Sequence, residues 1–165
     1  MSVQANAIDT SGLRGRLFLI VEDVPAIAEI MSQMIRMAGG RSVVAANGRA
    51  GVEAFAATRP GSVSCILMDI RMPELDGYGA AREIRALERA DAKTVPIVAM
   101  TAYASEEDVS QVRVSGMDAY FVKPVRFSEF VQTAVSAMRK DVPPEDRPSP
   151  AGNAGKRGPV RDGGV

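Results

Sequence analysis

Histidine is missing from all 165 residues, and tryptophan with it. Without histidine there is no HExxH zinc site, no Ser-His-Asp or Cys-His triad, and no phosphohistidine on this chain. The one cysteine, Cys65, has no intrachain partner, which excludes a disulfide-stapled secreted scaffold. Long apolar runs are missing too. The longest early one, Leu17 to Val21, is shorter than a signal-peptide core and far below the ~20 residues of a membrane span. A cytoplasmic protein with no membrane contact is therefore expected. Charge of one sign is not in excess: 20 Lys+Arg against 20 Asp+Glu give a formal net charge of zero, which argues against non-specific binding to nucleic acid or anionic lipid. No GxxxxGK[ST] loop is present and no strand candidate is followed by GxGxxG, so nucleotide hydrolysis of the P-loop kind and dinucleotide binding both lack their parts.

What remains is ordinary globular material, 46% hydrophobic and 24% charged, enough for one domain. Composition shifts at both ends. Residues 1–14 are small and polar without a period, and are expected to be a flexible N-terminal segment. Residues 141–165 are interrupted throughout by proline and glycine and lack aromatics, the composition of a disordered tail. The folded domain is placed at 15–140.

Inside it, short β-type runs alternate with helical periods. Strands are expected at Leu17–Val21, Ser42–Ala45, Val63–Met68, Pro96–Met100 and Ala119–Val122, short and apolar as strands buried on both faces of a parallel sheet are. The first helix carries Ile27, Ile30, Met31, Met34, Ile35 and Ala38 at spacings of three and four, with Gly39 and Gly40 as its stop. Asn47, Asp76 and Ser105 are expected N-caps of the next three, the last followed by the acids Glu106, Glu107 and Asp108. Phe127 to Met138 carries the cleanest stripe. These stripes read as core. Five βα units in succession make an α/β, doubly wound domain with right-handed crossovers, whose ligands bind beyond the carboxyl ends of the strands.

At those ends stand Glu22 and Asp23, Asp69, Thr101 and Lys123. Singly each has a plain explanation as a turn, cap or surface charge. Together they place three carboxylates, a hydroxyl and an ammonium on one sheet edge. Crowded carboxylates repel unless a cation lies among them, and hard oxygen donors suit Mg2+. An ionised carboxylate beside that cation is a nucleophile for phosphorus, and a transferring phosphoryl group needs positive or donor partners for its three equatorial oxygens. The cation, the Lys123 ammonium and the Thr101 hydroxyl supply them. A haloacid-dehalogenase-type phosphatase would place a second Asp two residues after the nucleophile; here Arg71 stands there.

The stretches Leu19-Ile-Val-Glu-Asp23, Met68-Asp-Ile-Arg-Met-Pro-Glu-Leu-Asp-Gly77, Ala99-Met-Thr-Ala102 and Gly116-Met-Asp-Ala-Tyr-Phe-Val-Lys-Pro124 closely resemble the receiver domain of two-component response regulators, over nearly all of 15–140. The resemblance implies a flavodoxin-like sheet of order 2-1-3-4-5. It implies Asp69 as phosphoacceptor, Asp23 as a direct Mg2+ ligand, Glu22 as a ligand mostly through water, and the Arg71 backbone carbonyl as a further ligand. Lys123 would hold the phosphoryl group beside a cis bond to Pro124, and Thr101 with Tyr120 would form the switch pair that changes the helix 4–strand 5–helix 5 surface. Arg71 and Tyr103 occupy positions that influence dephosphorylation, where they are expected to shield the acyl phosphate. Such a domain is not an enzyme in the ordinary sense, since it catalyses only its own phosphorylation and dephosphorylation. The phosphoryl group comes from a partner, a sensor histidine kinase or a histidine phosphotransfer protein, and the output is a downstream protein target without direct DNA binding. Two settings stay open, a stand-alone or relay receiver and a receiver module of a hybrid sensor histidine kinase; a non-phosphorylated scaffold is disfavoured because every phosphorylation residue is present.

Overall fold

A computed structural model describes residues 7–139. The elements run β1 (Leu17–Val21), α1 (Pro25–Met37), β2 (Arg41–Ala45), α2 (Gly48–Ala57), β3 (Cys65–Asp69), α3 (Gly77–Ala86), β4 (Ile97–Thr101), α4 (Glu106–Val114), β5 (Ala119–Val122) and α5 (Phe127–Met138). The strands form one parallel sheet in the order β2-β1-β3-β4-β5. The tail expected over 141–165 lies outside the described residues.

Strand alternation divides the core in two. Leu19 and Val21, Ile66 and Met68, and Ile97 and Ala99 face α2, α3 and α4, where Phe55, Ala80, Ala81, Ile84 and Val112 meet them. Phe18 and Ile20, Cys65 and Leu67, and Val98 and Met100 face α1 and α5, against Met31, Ile35, Phe130 and Ala134. This is the period-2 rule applied to a sheet covered on both faces. Phe18 and Phe130 fix the second layer with ring centroids 6.0 Å apart and planes tilted by 55°.

Local chemistry sets the helix ends. Pro25 opens α1, where its missing N–H costs nothing. Gly39 N–H donates to Arg36 O and Gly40 N–H to Ile35 O, the paired bonds that close the helix where the sequence places its stop. Asn47 and Asp76 cap α2 and α3 through Ala50 N and Gly79 N, and Ser105 with Asp108 forms a reciprocal capping box at α4.

Four expectations are corrected. Strand β2 is not buried on both faces: it is an edge strand, with Val43 48% and Val44 47% exposed, because β1 flanks it on one side only. The α1 stripe is wider than the sheet it covers, leaving Ile30 52% exposed and Ile27 and Met34 half-buried. Packed structure also begins before residue 15. Ser11–Leu13 form a 3-10 turn whose Leu13 is fully buried against the α1–α5 layer, a single apolar residue without a period to announce it. Strands β3 and β4 end one residue later than expected, and β3 begins at Cys65 where Val63 was expected, so Asp69 and Thr101 are themselves the last strand residues. Pro96, having no N–H, stands outside β4 while its carbonyl still accepts from Ile66 N.

Candidate phosphoryl-acceptor site

The parallel register brings the carboxyl ends of β1, β3, β4 and β5 to one edge, and backbone bonds extend it past the strands. Glu22 N–H donates to Ala45 O, Ile70 N–H to Met100 O and Lys123 N–H to Thr101 O. The residues that carry chemistry therefore leave the sheet with the sheet's own rigidity.

Glu22, Asp23 and Asp69 each offer a carboxylate oxygen within 4.8 Å of the others. Glu22 is 1% and Asp69 4% exposed, while Asp23 is half-buried. Lys123 Nζ lies 2.9 Å from Asp69 Oδ1 and 3.0 Å from Glu22 Oε2, and Val24 N–H donates to Glu22 Oε1 at 3.1 Å. Two of the three acidic groups, Asp69 and Glu22, thus share one ammonium. Burial pushes the Glu22 carboxyl above its ordinary range, against the lowering pull of the Lys123 and Val24 hydrogen bonds. Burial works to lower the Lys123 ammonium, but its hydrogen bonds to Asp69 and Glu22 outweigh that and hold it above its ordinary value. It stays charged throughout the neutral range. One cation against three carboxylates leaves an anionic, oxygen-only cluster, and that donor set fits a hard divalent ion. The Lys123–Pro124 peptide bond is cis.

Thr101 is buried at the end of β4, with its hydroxyl turned to its own loop: it donates to Tyr103 O at 2.6 Å and accepts from Tyr103 N at 3.2 Å. Tyr103 itself is 72% exposed. Tyr120 is half-buried against the α2–α3–α4 layer. Arg71 is exposed, in a cleft of about 560 Å³ shared with Ile70, Met72, Asp76, Tyr78 and Asp108, where its charge helps hold the Asp108 carboxyl down, after the larger effect of the Ser105 hydrogen bonds.

The structure thus gathers Glu22, Asp23, Asp69 and Lys123 into one cluster and sets Thr101 at the neighbouring strand end. Tyr103 and Arg71 lie on loops that leave those ends. The sequence did not disclose the direct Glu22–Lys123 contact; the only available signal was the longer arm of glutamate. Nor did it disclose the Tyr78 hydroxyl approaching Asp108 Oδ1 at 3.5 Å, which links α3 to α4 and follows from no local pattern.

The parallel sheet of order 2-1-3-4-5 thus carries its acid cluster and lysine at the carboxyl edge, where doubly wound domains bind their ligands. Residues 18–135 match the model of the response regulator receiver domain, and the chain belongs to that family. The receiver domain of the sensor histidine kinase PA1611 from Pseudomonas aeruginosa PAO1, solved with a magnesium ion coordinated in its active-site cleft, is 36% identical. That match covers 75% of this chain and 98% of that one, with a TM-score of 0.67. The regulatory protein AtoC of Escherichia coli K12 is 34% identical over 129 residues, 75% of this chain but only 26% of AtoC. The polar-differentiation response regulator DivK of Brucella ovis is 30% identical over 120 residues, which are 73% of this chain and 94% of DivK. The match thus covers nearly all of DivK and about a quarter of AtoC. Among the described residues, no helix is long and apolar enough to cross a membrane.

Proposed function

We propose that this receiver domain accepts a phosphoryl group on Asp69 from a phosphohistidine of a partner protein, in a reaction that depends on Mg2+. The observation that carries this reading is the Lys123 ammonium seated between Asp69 and Glu22, beside a buried cluster of oxygen donors. Asp23, Asp69 and the Arg71 backbone carbonyl would hold the ion, with Glu22 reaching it through water. When bound, the ion neutralises charge on the carboxylates and on a phosphoryl oxygen.

The chemistry of the chain's own residues follows. A carboxylate oxygen of Asp69 forms the new bond to phosphorus as the phosphorus–nitrogen bond to the donor imidazole breaks, and the nitrogen keeps the bonding electron pair. Lys123, fixed by β5, pairs with one phosphoryl oxygen. To reach another, the Thr101 hydroxyl has to release Tyr103 O, so the loop from 101 to 105 is drawn toward the site at the moment of transfer. Tyr120 then turns inward behind it. The added charge of about −1.5 to −2 is what biases the switch. Helix α4 is the natural element to move, since Val112 is its one buried residue, and the α4–β5–α5 face is the surface offered to a downstream protein. Arg71 and Tyr103, exposed before transfer, would close over the acyl phosphate and slow its hydrolysis. The domain acts only on itself, in the cytoplasm, with a sensor histidine kinase or a histidine phosphotransfer protein as donor.

A second reading, that the domain is the receiver module of a hybrid sensor kinase, is favoured by its 36% identity to the receiver of PA1611. Phosphotransfer from a phosphorylated histidine phosphotransfer protein separates both from a scaffold. The expected result is label on wild type with Mg2+, and none on Asp69→Asn or in excess chelator. Equal labelling of the Asn variant would overturn the assignment.

A further inference from the structure

The loop between β3 and α3, which carries the Arg71 carbonyl, is held at its far end and on its flank by backbone contacts that exclude a side chain. At its far end, a Cβ on Gly77 would lie 2.2 Å from Asp69 O, and Gly77 N–H donates to Ile70 O at 2.9 Å. On its flank, a Cβ on Gly48 would lie 2.3 Å from Leu75 O and 3.2 Å from the Leu75 carbonyl carbon. Both Leu75 atoms are main chain, so no rotamer change relieves the clash; either the loop or the helix has to move. Between these two points, Leu75 N–H closes on Pro73 O at 2.9 Å and Glu74 is held at φ 67°.

Gly48 is the first residue of α2, a helix that contributes no atom to the acid cluster. Its first turn is closed and tied to a neighbouring helix by side chains outside the loop. Asn47 Oδ1 accepts from Ala50 N at 2.8 Å, and Arg49 pairs with Glu83 of α3 through two bonds of 2.5 and 3.1 Å. The first turn of α2 is thus a stop against which the loop rests. We infer that Gly48 is a positioning residue for the cation site: its contact with Leu75 sets the course of the loop and, through it, the Arg71 carbonyl. This rests on the reading of the Asp69 cluster as a Mg2+ site. A supporting shell of this kind holds ligands to within about 0.5 Å, and its loss typically costs about 10–100-fold in metal affinity.

The test is Mg2+ affinity by calorimetric titration, with urea unfolding run on the same samples. The variants are wild type, Gly48→Ala, Asn47→Ala and Gly12→Ala. Gly12 serves as control because the three atoms nearest an added Cβ there all belong to the Val135 side chain, the closest at 3.1 Å. Gly48→Ala is expected to bind Mg2+ about tenfold more weakly, Asn47→Ala more weakly by a smaller factor, and Gly12→Ala as wild type does. Should Gly48→Ala fail to fold, Asn47→Ala, which loosens the same turn without a clash, decides the matter. Wild-type affinity in every folded variant would overturn the inference alone. A wild type without Mg2+ affinity would overturn the proposed function, and this inference with it.

Discussion

At the scale of single residues, the site works by placing too many carboxylates around one amine. Lys123 is bonded to Asp69 and Glu22 together, so it is the counter-charge of the resting cluster and, in the proposed reaction, the group that would meet a phosphoryl oxygen. These residues were legible in the sequence because strand ends are legible: an apolar run that stops at an acid, a threonine or a lysine says where the side chain emerges. What the acids bond to was not legible, since the Glu22–Lys123 contact joins positions 101 residues apart. Thr101 is similar: its type and place were expected, but its engagement with Tyr103 O depends on the turn that follows. Glu74 makes the loop's strain testable. It is the one described residue other than glycine at positive φ, 67°, a conformation costing a side chain about 1–2 kcal/mol that glycine adopts freely. Glu74→Gly is expected to stabilise the domain by about 0.5–1 kcal/mol, read as a higher urea midpoint at unchanged slope. A lower midpoint would show that the Glu74 side chain makes contacts that matter more than its backbone.

At the scale of elements, helices were easier to read than sheet position. Each cap at Asn47, Asp76 and Ser105 is a local event between residues at most three apart, so its chemistry is written in the sequence. Strand burial is not local. Val43 and Val44 have the same apolar character as Ile66 and Leu67, and only the strand order places one pair at the edge and the other at the centre. The α2–β3 connection shows a further element-scale device absent from any motif. Arg89 donates to the carbonyls of Phe55, Ala56 and Thr58, closing the C-terminus of α2, and its guanidinium lies 4.3 Å from the Phe55 ring centroid. Asp91 orients that guanidinium through two bonds of 2.6 and 2.8 Å and accepts from Gly61 N. The Arg89 hydrogen bonds are the main cause holding the Asp91 carboxyl down to about 2. A carboxyl lowered on folding contributes stability that is complete above its ordinary value and is lost as pH falls through about 2. Asp91→Asn is therefore expected to lower stability at neutral pH and to flatten the loss of stability between about pH 4 and pH 2. An unchanged acid-unfolding profile would remove Asp91 from this role.

At the scale of the whole molecule, the sheet divides labour between its two layers and its one functional edge. The α1–α5 layer and the α2–α3 part of the other hold β1, β3 and β4 rigid, with every residue of β3 and β4 buried. Helix α4, with one buried valine and the Tyr78–Asp108 contact to α3, has the fewest buried residues of the five α-helices described. A rigid strand end beside a sparsely buried helix is what the proposed charge-driven switch would use. The α/β architecture was readable because five βα units in succession admit few other folds, and the strand order because the motifs resemble one family. The extra turn at Ser11–Leu13 was not, because a lone buried leucine carries no periodicity. The central claim is that Asp69 is the nucleophile. Its most direct test is to phosphorylate the protein with a small phosphodonor and Mg2+, reduce it with borohydride, which converts an aspartyl phosphate to homoserine, and locate the converted residue by peptide mass spectrometry. Homoserine at position 69 and at no other acid is the predicted result; conversion at Glu22, Asp23 or elsewhere, or none at all, would contradict it.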